Sequence, residues 1–302
     1  MRRTESRGPE RPKKLAWQVF RGADALRDGL LTVEQLRGKN WLRVAYGIYA
    51  DSRLDRDHEL RCRALALDLP AQTFFAGPSA ACLYGVAHAR TFDDPAHLIV
   101  PAGRRLNERK LTRVHRMTLT DHEVAMKGDL PVTTPLRTSW DIALWTDLIP
   151  AVTMIDALLA AQLLTADQLG ELVQARFGWH GSQRAGRVFA LADGASQSPQ
   201  ESRLRVMLIR SGLPRPVSQF PVQVNGRVLH PDLAWPEFKI AIEYDGRWHD
   251  APGQFDLDRR RLNLLVAEGW IVLHVTARRL GSDFPALAEE ARQALRSRGW
   301  RR

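Results

Sequence analysis

The stretch that decides the fold is Pro231-Asp-Leu-Ala-Trp-Pro-Glu-Phe-Lys-Ile-Ala-Ile-Glu-Tyr-Asp-Gly246. Its alternation of side-chain types is typical of strands, and successive strand residues point to opposite faces of a sheet. Asp232 then shares a face with His230 and Ala234, while Glu243 and Asp245 share a face of the next strand. Unpaired buried charges are costly. We therefore expect a cation to neutralise these carboxylates.

The segments on either side of this stretch predict an αβββαβα order. Asn225-Gly226 is a strong hairpin signal and makes the first two strands antiparallel neighbours. On the first helix, Glu201 lies on the same face as Leu204 and Leu208, and it also stands three residues after Ser198, as in a capping box. The predicted helices are Pro199–Ser211, Asp258–Glu268 and Pro285–Arg296, and the predicted strands are Val217–Val224, Arg227–Trp235, Lys239–Asp245 and Trp270–Val275.

The three acidic residues Asp232, Glu243 and Asp245 predict a site of hard oxygen ligands on adjacent strands. Such ligands suit Mg²⁺ or Mn²⁺. A cation held there can ionise a bound water and stabilise charge on a phosphoryl group. The alternative is that Asp245-Gly246 is a simple turn.

The C-terminal hundred residues resemble the PD-(D/E)XK nucleases, in particular the DUF559 branch related to the very-short-patch-repair (Vsr) endonucleases. The resemblance rests on an ordered set of motifs: Pro231-Asp232, Ile240-Ala-Ile-Glu243-Tyr-Asp245-Gly246, His249, Asp258-Arg259-Arg260 and Gly269-Trp-Ile-Val-Leu273. It implies a restriction-endonuclease-like domain that hydrolyses phosphodiester bonds with Mg²⁺ or Mn²⁺.

The same resemblance implies residue roles. Asp232 and Glu243 would be the central metal ligands, and Glu201 a supporting acid. The family's usual lysine, two positions after the glutamate, is replaced by Asp245. Three alternatives follow: Asp245 extends the metal site, His249 acts as the base, or cleavage has been lost. Three arginines complete the expected DNA contacts of this domain: Arg247, Arg259 and Arg260.

The N-terminal segment predicts a winged helix-turn-helix. Leu15–Leu26 has helical periodicity, Thr32 can cap a short helix over Val33–Leu36, and two strands turn near Tyr46-Gly47. In this design a helix enters a DNA groove and the wing contacts phosphates. The alternative is a small helical domain that makes protein contacts.

This segment also resembles the winged-helix domain of AbiEi-type antitoxins of type IV toxin–antitoxin systems. The resemblance is carried by Asp24-Ala-Leu, Gly29-Leu-Leu-Thr, Gln35-Leu-Arg, Trp41, Val44 and Gly47-Ile-Tyr49. It implies DNA binding, with contacts expected from Gln35, Arg37, Lys39 and Arg43.

The composition indicates which binding partners and which cellular compartment to expect. The chain has 302 residues, 44 Lys and Arg against 34 Asp and Glu, and a formal net charge of +10. This balance favours nucleic acid as a partner, although arginine-rich codon usage would give the same surface. Cys62 and Cys82 lie in apolar patterns and read as buried thiols. The basic N-terminus lacks the apolar core of a secretion signal, so we expect a cytoplasmic protein without membrane segments.

The predicted domain organisation has five parts. The small polar run 192–198 is typical of a linker and places the boundary there. The parts are a head at 1–14, a winged helix at 15–52, an α+β middle region at 53–191, the linker at 192–198 and the nuclease-like domain at 199–302.

The leading hypothesis is a metal-dependent DNA endonuclease that an N-terminal DNA-binding module targets, with nicking and mismatch-directed cleavage as open variants. The alternative is a catalytically inactive DNA-binding regulator or antitoxin. RNA as the substrate and a homodimeric assembly stay open.

Overall fold

The computed structural model describes residues 11–103, 106, 110–245 and 263–301. The chain forms two compact units, residues 1–141 and 142–302. Helices and mixed sheets alternate in both units, which confirms the predicted α/β (α+β) class. Among the described residues, no helix is both long enough and apolar enough to cross a membrane.

The first unit opens with a small sheet around two short helices. Its three strands lie in the order β1-β3-β2 and are antiparallel. The predicted helix over Leu15–Leu26 is wrong in its first half, because Val19 and Phe20 pair with Ala50 and Tyr49 as a strand. The elements are β1 (Val19–Arg21), α1 (Gly22–Arg27), α2 (Val33–Leu36), β2 (Trp41–Ala45) and β3 (Ile48–Asp51).

Two local predictions in this region are confirmed. The Thr32 hydroxyl accepts from the Gln35 N–H at 3.2 Å, and the Gln35 side-chain oxygen accepts from the Thr32 N–H at 2.8 Å, which is a complete capping box. The turn between β2 and β3 falls at Tyr46-Gly47, where Gly47 has φ of 70°. The Phe20 and Trp41 rings pack edge to face at 5.1 Å inside this small core.

A five-stranded mixed sheet fills the rest of the first unit, in the order β6-β5-β4-β8-β7. Its strands β5 and β6 are parallel neighbours, with His97 opposite Arg113. β4 has two residues, and Pro131 interrupts the pattern of β8, so the sequence gives these strands little signal. The elements are α3 (His58–Ala66), β4 (Phe74–Phe75), α4 (Gly77–Leu83), β5 (Ala96–Val100), β6 (Thr112–Arg116), β7 (Val124–Lys127) and β8 (Leu130–Thr133).

Helices dominate the next part of the chain, beginning with α5, which spans the division between the units. The last helix before α9 begins only at Ser182, because Gly178 and Gly181 have φ of 81° and 84° and form a turn ahead of it. The helices are α5 (Pro135–Trp145), α6 (Leu148–Ala160), α7 (Ala166–Ala175), α8 (Ser182–Leu191) and α9 (Pro199–Arg210).

The predicted linker at 192–198 lies inside the second unit, and the chain divides at 141/142 instead. A buried ion pair explains why. The fully buried Arg205 guanidinium on α9 lies 2.5 Å from Asp156 Oδ2 on α6 and donates to the Leu191 carbonyl. Asp193, in the middle of the run, donates its N–H to Asp156 Oδ1 at 2.7 Å. These contacts fasten the run to the helices on both sides of it.

A four-stranded sheet completes the second unit, in the order β14-β13-β12-β9, with a separate β10-β11 hairpin. The hairpin turn at Asn225-Gly226 is confirmed, since Val224 pairs with Arg227 and both turn residues have positive φ. The elements are β9 (Val217–Ser218), β10 (Val222–Val224), β11 (Arg227–Leu229), β12 (Leu233–Trp235), β13 (Ile240–Asp245), a helical segment at 263–267, β14 (Ile271–Thr276), α10 (Ala277–Leu280) and α11 (Phe284–Ser297).

The first two strands predicted for this sheet are each split in two. Pro221 and Pro231 stand at the breaks, and proline cannot donate to a strand ladder. The predicted faces are nevertheless confirmed. Leu233 and Ile242 belong to the core cluster beside α9 and α11, whereas Ala234 and Ala241 belong to the cluster beside the hairpin.

Breaking the ion pair of Asp156 and Arg205 should strongly destabilise the second unit. Replacing one partner leaves the other charge buried without compensation. We expect Asp156→Ala to lower the free energy of unfolding by about 3–5 kcal/mol, measured by urea denaturation. Glu289→Ala, which removes an exposed partner of Arg292, is the control and should cost at most about 1 kcal/mol. Equal effects of the two variants would contradict this interpretation.

Candidate functional site

Acidic side chains gather where α9, the end of β9 and the start of β12 meet. Gln219 connects two of them: its Nε2 lies 3.2 Å from Glu201 Oε2 and 3.3 Å from Asp232 Oδ1. Asp232 Oδ2 also accepts from the Tyr244 N–H on β13 at 2.7 Å. The structure thus brings Glu201 and Asp232, predicted from separate motifs, to one place.

Glu201 is held at the first turn of α9. Its N–H donates to the Ser198 hydroxyl at 3.2 Å, while its carboxylate accepts from the Gln197 N–H at 2.9 Å. The side chain is therefore part of the helix cap. In a standard capping box it would accept from the N–H of the N-cap residue, Ser198, but here it accepts from the N–H of the preceding residue, Gln197. Burial, with a further contribution from the charge of Asp232, raises the pKa of Glu201.

Gln219 is a residue that the sequence analysis missed. It lies inside a predicted strand, but in the structure it follows β9 with a left-handed backbone, φ 51°. Its N–H donates to the Asp232 carbonyl at 3.1 Å, and its carbonyl lies 3.0 Å from His230 Nδ1. The proline at 221 marks the strand end, but nothing in the sequence shows that the Gln219 side chain turns toward two acids.

Glu243 lies on β13 next to this group. Leu233 pairs with Ile242, so the antiparallel register places position 243 opposite position 232. Glu243 is 9% exposed and shares the sheet face of Ala241. Asp232 and Glu243 thus lie at the same sheet end, as predicted from the alternation.

Asp245 has a different environment. It is half exposed at the end of β13, and its Oδ2 lies 3.3 Å from Nδ1 of His274 on the parallel strand β14. His274 was also missed, because it occupies the exposed position of an alternating strand and carries no motif signal. Asp245 occupies the position at which the resemblance to the PD-(D/E)XK nucleases would lead one to expect a lysine.

The donor chemistry of the site suits a hard cation, but the described residues hold no group of three or more His, Cys, Asp or Glu side chains arranged for a metal. Mg²⁺ often uses one or two carboxylates and keeps its waters until substrate phosphates replace them. Asp232 and Glu243 fit that mode. The predicted site residues Arg247, His249, Arg259 and Arg260 lie outside the described residues.

A second candidate surface lies in the first unit. Arg37 and Lys39 are exposed between α2 and β2. Arg43 is exposed on β2 before the turn to β3, and its guanidinium lies 5.5 Å from the centre of the Tyr46 ring. Tyr46 at the turn is 88% exposed. Gln35 is exposed too, but its side-chain oxygen serves the capping box. A cationic edge with an aromatic tip is the arrangement expected of a wing that contacts phosphates.

Comparison with known proteins gives relatives but no function. No family model matches the chain. Two similar sequences come from Mycobacterium tuberculosis: "Uncharacterized protein MT2308" of strain CDC 1551 / Oshkosh and "Uncharacterized protein Rv2248" of strain ATCC 25618 / H37Rv. Each is 28% identical over 254 residues, covering 80% of this chain and 87% of the relative.

Among solved structures, that of the RV2827C protein from Mycobacterium tuberculosis is 19% identical. The similarity covers 69% of this chain and 84% of that chain, with a TM-score of 0.38. This likeness is too low to carry an argument about fold or function.

The raised pKa of Glu201 predicts a pH-dependent stability effect. A carboxyl whose pKa is higher in the folded state holds its proton better there, so stability falls as the pH rises between the unfolded and folded pKa values. Glu201→Gln removes this loss and keeps an oxygen that can accept from Gln197. We expect the stability of the variant relative to wild type to rise from about pH 4 to pH 7, measured by urea denaturation.

The control for this experiment is Glu237→Gln, an exposed glutamate of the same unit. If the stability relative to wild type rises no more with pH for Glu201→Gln than for Glu237→Gln, the interpretation is wrong. Burial and the charge of Asp232 would then not raise the pKa of Glu201.

Proposed function

We propose that this protein is a metal-dependent endonuclease that hydrolyses phosphodiester bonds in DNA. The observation that carries the proposal is the gathering of Glu201, Asp232 and Glu243 at one end of the β12–β13 sheet, with Gln219 between two of them. Acidic side chains brought together in a partly buried place raise one another's pKa values unless a positive group joins them. A divalent cation would neutralise these acids and would also enable hydrolysis of a phosphodiester bond.

Each residue has a defined part in this proposal. Asp232 and Glu243 would hold the cation, which supplies an ionised water and stabilises charge on the phosphoryl group. The Tyr244 N–H fixes one oxygen of Asp232, so this carboxylate is oriented before any ligand binds. Glu201 and Gln219 orient Asp232 from the other side. Asp245, supported by His274, is the candidate that accepts or positions the proton of the attacking water.

The second candidate is a DNA-binding regulator without cleavage, as in an antitoxin. It is favoured by the engagement of the acids within the protein: Asp232 accepts from Tyr244 and Gln219, and Asp245 lies against His274. The departure from the nuclease lysine at position 245 points the same way. In this case the sheet end would be a structural remnant of a catalytic fold.

DNA as the partner is supported by the net charge of +10 and by three exposed cations before and on β2, namely Arg37, Lys39 and Arg43. The chemistry of phosphodiester hydrolysis does not itself exclude RNA, so RNA is an outcome of the substrate test. A cytoplasmic location and a homodimeric assembly complete the proposal.

Loss of either proposed ligand should abolish cleavage without unfolding the protein. We expect wild type to nick or linearise supercoiled plasmid with Mg²⁺ or Mn²⁺ but not with EDTA. Asp232→Asn, which keeps an acceptor for the Tyr244 N–H, and Glu243→Gln should each lower the rate on the order of 100-fold or more. Glu237→Gln, which removes an exposed carboxylate from the same sheet region, should cleave at the wild-type rate.

The substrates should include duplex, mismatched, branched and single-stranded DNA, and RNA. Cleavage of none of them by wild type would sink the enzyme proposal. If gel shifts then showed DNA binding that Asp232→Asn and Glu243→Gln leave unchanged, the regulator would be the better account. Preferred cleavage of RNA would replace DNA as the substrate.

The exposed cations before and on β2 should contribute to DNA binding through phosphate contacts. We expect Lys39→Ala and Arg43→Ala each to weaken DNA binding and to reduce the slope of log affinity against log salt by about 1. Arg27→Ala is the matched control, because Arg27 is exposed but paired with Asp24 at 2.8 Å and Asp28 at 3.2 Å. Salt slopes that are identical for all four proteins, measured by anisotropy, would refute the wing assignment.

A further inference from the structure

Two aromatic side chains stand in solvent on the turn between α7 and α8. Phe177 is 84% exposed and Trp179 is 60% exposed. Large aromatic side chains usually bury most of their surface, so a pair on one short turn marks a contact surface. Phe177 and Trp179 belong neither to the carboxylate site nor to the cationic surface of the first unit, so the proposed function does not explain why they are exposed.

The turn that presents them is ordered by its own hydrogen bonds. The Phe177 N–H donates to the Gln174 carbonyl at 3.1 Å, the Trp179 N–H to the Arg176 carbonyl at 3.0 Å, and the Ser182 N–H to the Trp179 carbonyl at 3.0 Å. Gly178 and Gly181 adopt positive φ. The rings are therefore held outward by a built turn rather than by a loose loop.

Contacts with α5 anchor the end of this turn. A Cβ at Gly181 would clash with the side chain of Leu144, so the turn packs too closely there for another residue. Arg184, just beyond it, donates to the carbonyls of Ala143 at 2.8 Å and Thr146 at 2.7 Å. This anchoring reduces the conformational freedom that a ligand would otherwise have to remove on binding.

The charges around the rings identify the partner. No acidic residue occurs between Glu171 and Asp193, while Arg176, Arg184 and Arg187 lie in that interval. The Arg176 guanidinium lies 5.2 Å from the centre of the Trp179 ring, and Arg187 is exposed on α8. A stretch of sequence with exposed aromatic rings and arginines but no acids has the composition that stacks bases and tracks a phosphate backbone.

We propose that the Phe177–Trp179 turn is a binding platform for single-stranded nucleic acid, on which unpaired bases stack while Arg176 and Arg187 contact phosphates. The inference rests on the nucleic-acid partner of the proposed function, but not on cleavage. It gives that function a preference for substrates that contain unpaired nucleotides, since paired bases in a duplex do not offer their faces.

The test uses the full chain in EDTA, so that cleavage plays no part. The probes are fluorescein-labelled oligothymidylate of about twelve nucleotides, an abasic strand of the same length, and a duplex, with binding followed by anisotropy. Phe177→Ala and Trp179→Ala should each weaken binding of the oligothymidylate roughly fivefold or more. Neither should change the salt slope, because neither removes a charge.

Three comparisons make the test specific. Trp179→Phe should retain most of the affinity, and the loss in Trp179→Ala should vanish on the abasic strand and on the duplex. Arg187→Gln should lower the salt slope on all three probes. Val228→Ala, which shortens an exposed apolar side chain of the same unit, is the control and should leave binding unchanged.

Wild-type affinity of both alanine variants for the oligothymidylate would overturn the proposal, as would failure of wild type to bind it. Equal losses on the abasic strand would also overturn it, because stacking would not be the cause. So would a loss of self-association instead of nucleic-acid binding, measured by light scattering. A chain that cleaves plasmid but fails these tests leaves the endonuclease proposal intact, and one that passes them without cleaving supports the platform alone.

Discussion

The second unit depends on the buried guanidinium of Arg205. A fully buried cation on α9 is tolerable because Asp156 on α6 and the Leu191 carbonyl surround it, and separating them would leave a bare charge in the interior. The position of α9 is thereby fixed against α6. Glu201 lies one turn before Arg205 on the same helix, so this ion pair also fixes where the first acid of the candidate site stands.

The candidate site gathers negative charge, and the structure shows two ways in which this charge is accommodated. Burial and Asp232 raise the pKa of Glu201, so part of the repulsion can be relieved by a proton. Neutral donors also contact the carboxylates: Gln219 reaches both Glu201 and Asp232, and the Tyr244 N–H holds Asp232. These donors orient the acids that the proposed function assigns to the cation.

Local signals in the sequence predicted the parts of the fold that local chemistry controls. The Asn225-Gly226 turn, the Thr32 cap and the alternating faces of β12 and β13 each depend on residues near one another in the chain. The strand breaks at Pro221 and Pro231 also have a local cause, because proline cannot donate to a strand ladder. The packing of the run 192–198 against α6 depends instead on where distant residues meet. Gln219 and His274 could not be identified from the sequence, because each is of interest only through its contact with a side chain of another element.

An enzyme and a regulator would require different charges at the sheet end that carries Asp232 and Glu243. A set of carboxylates repels DNA phosphates unless a cation or protons neutralise it. In an enzyme, a cation held by Asp232 and Glu243 would neutralise the acids and would supply charge stabilisation for the scissile phosphate, so substrate binding and metal binding would reinforce each other. In a regulator without a cation, the acidic end of the sheet opposes DNA, and affinity must come from cationic and aromatic surfaces elsewhere. The dependence of DNA affinity on a divalent cation therefore separates the two functions at the level of binding, before any bond is broken.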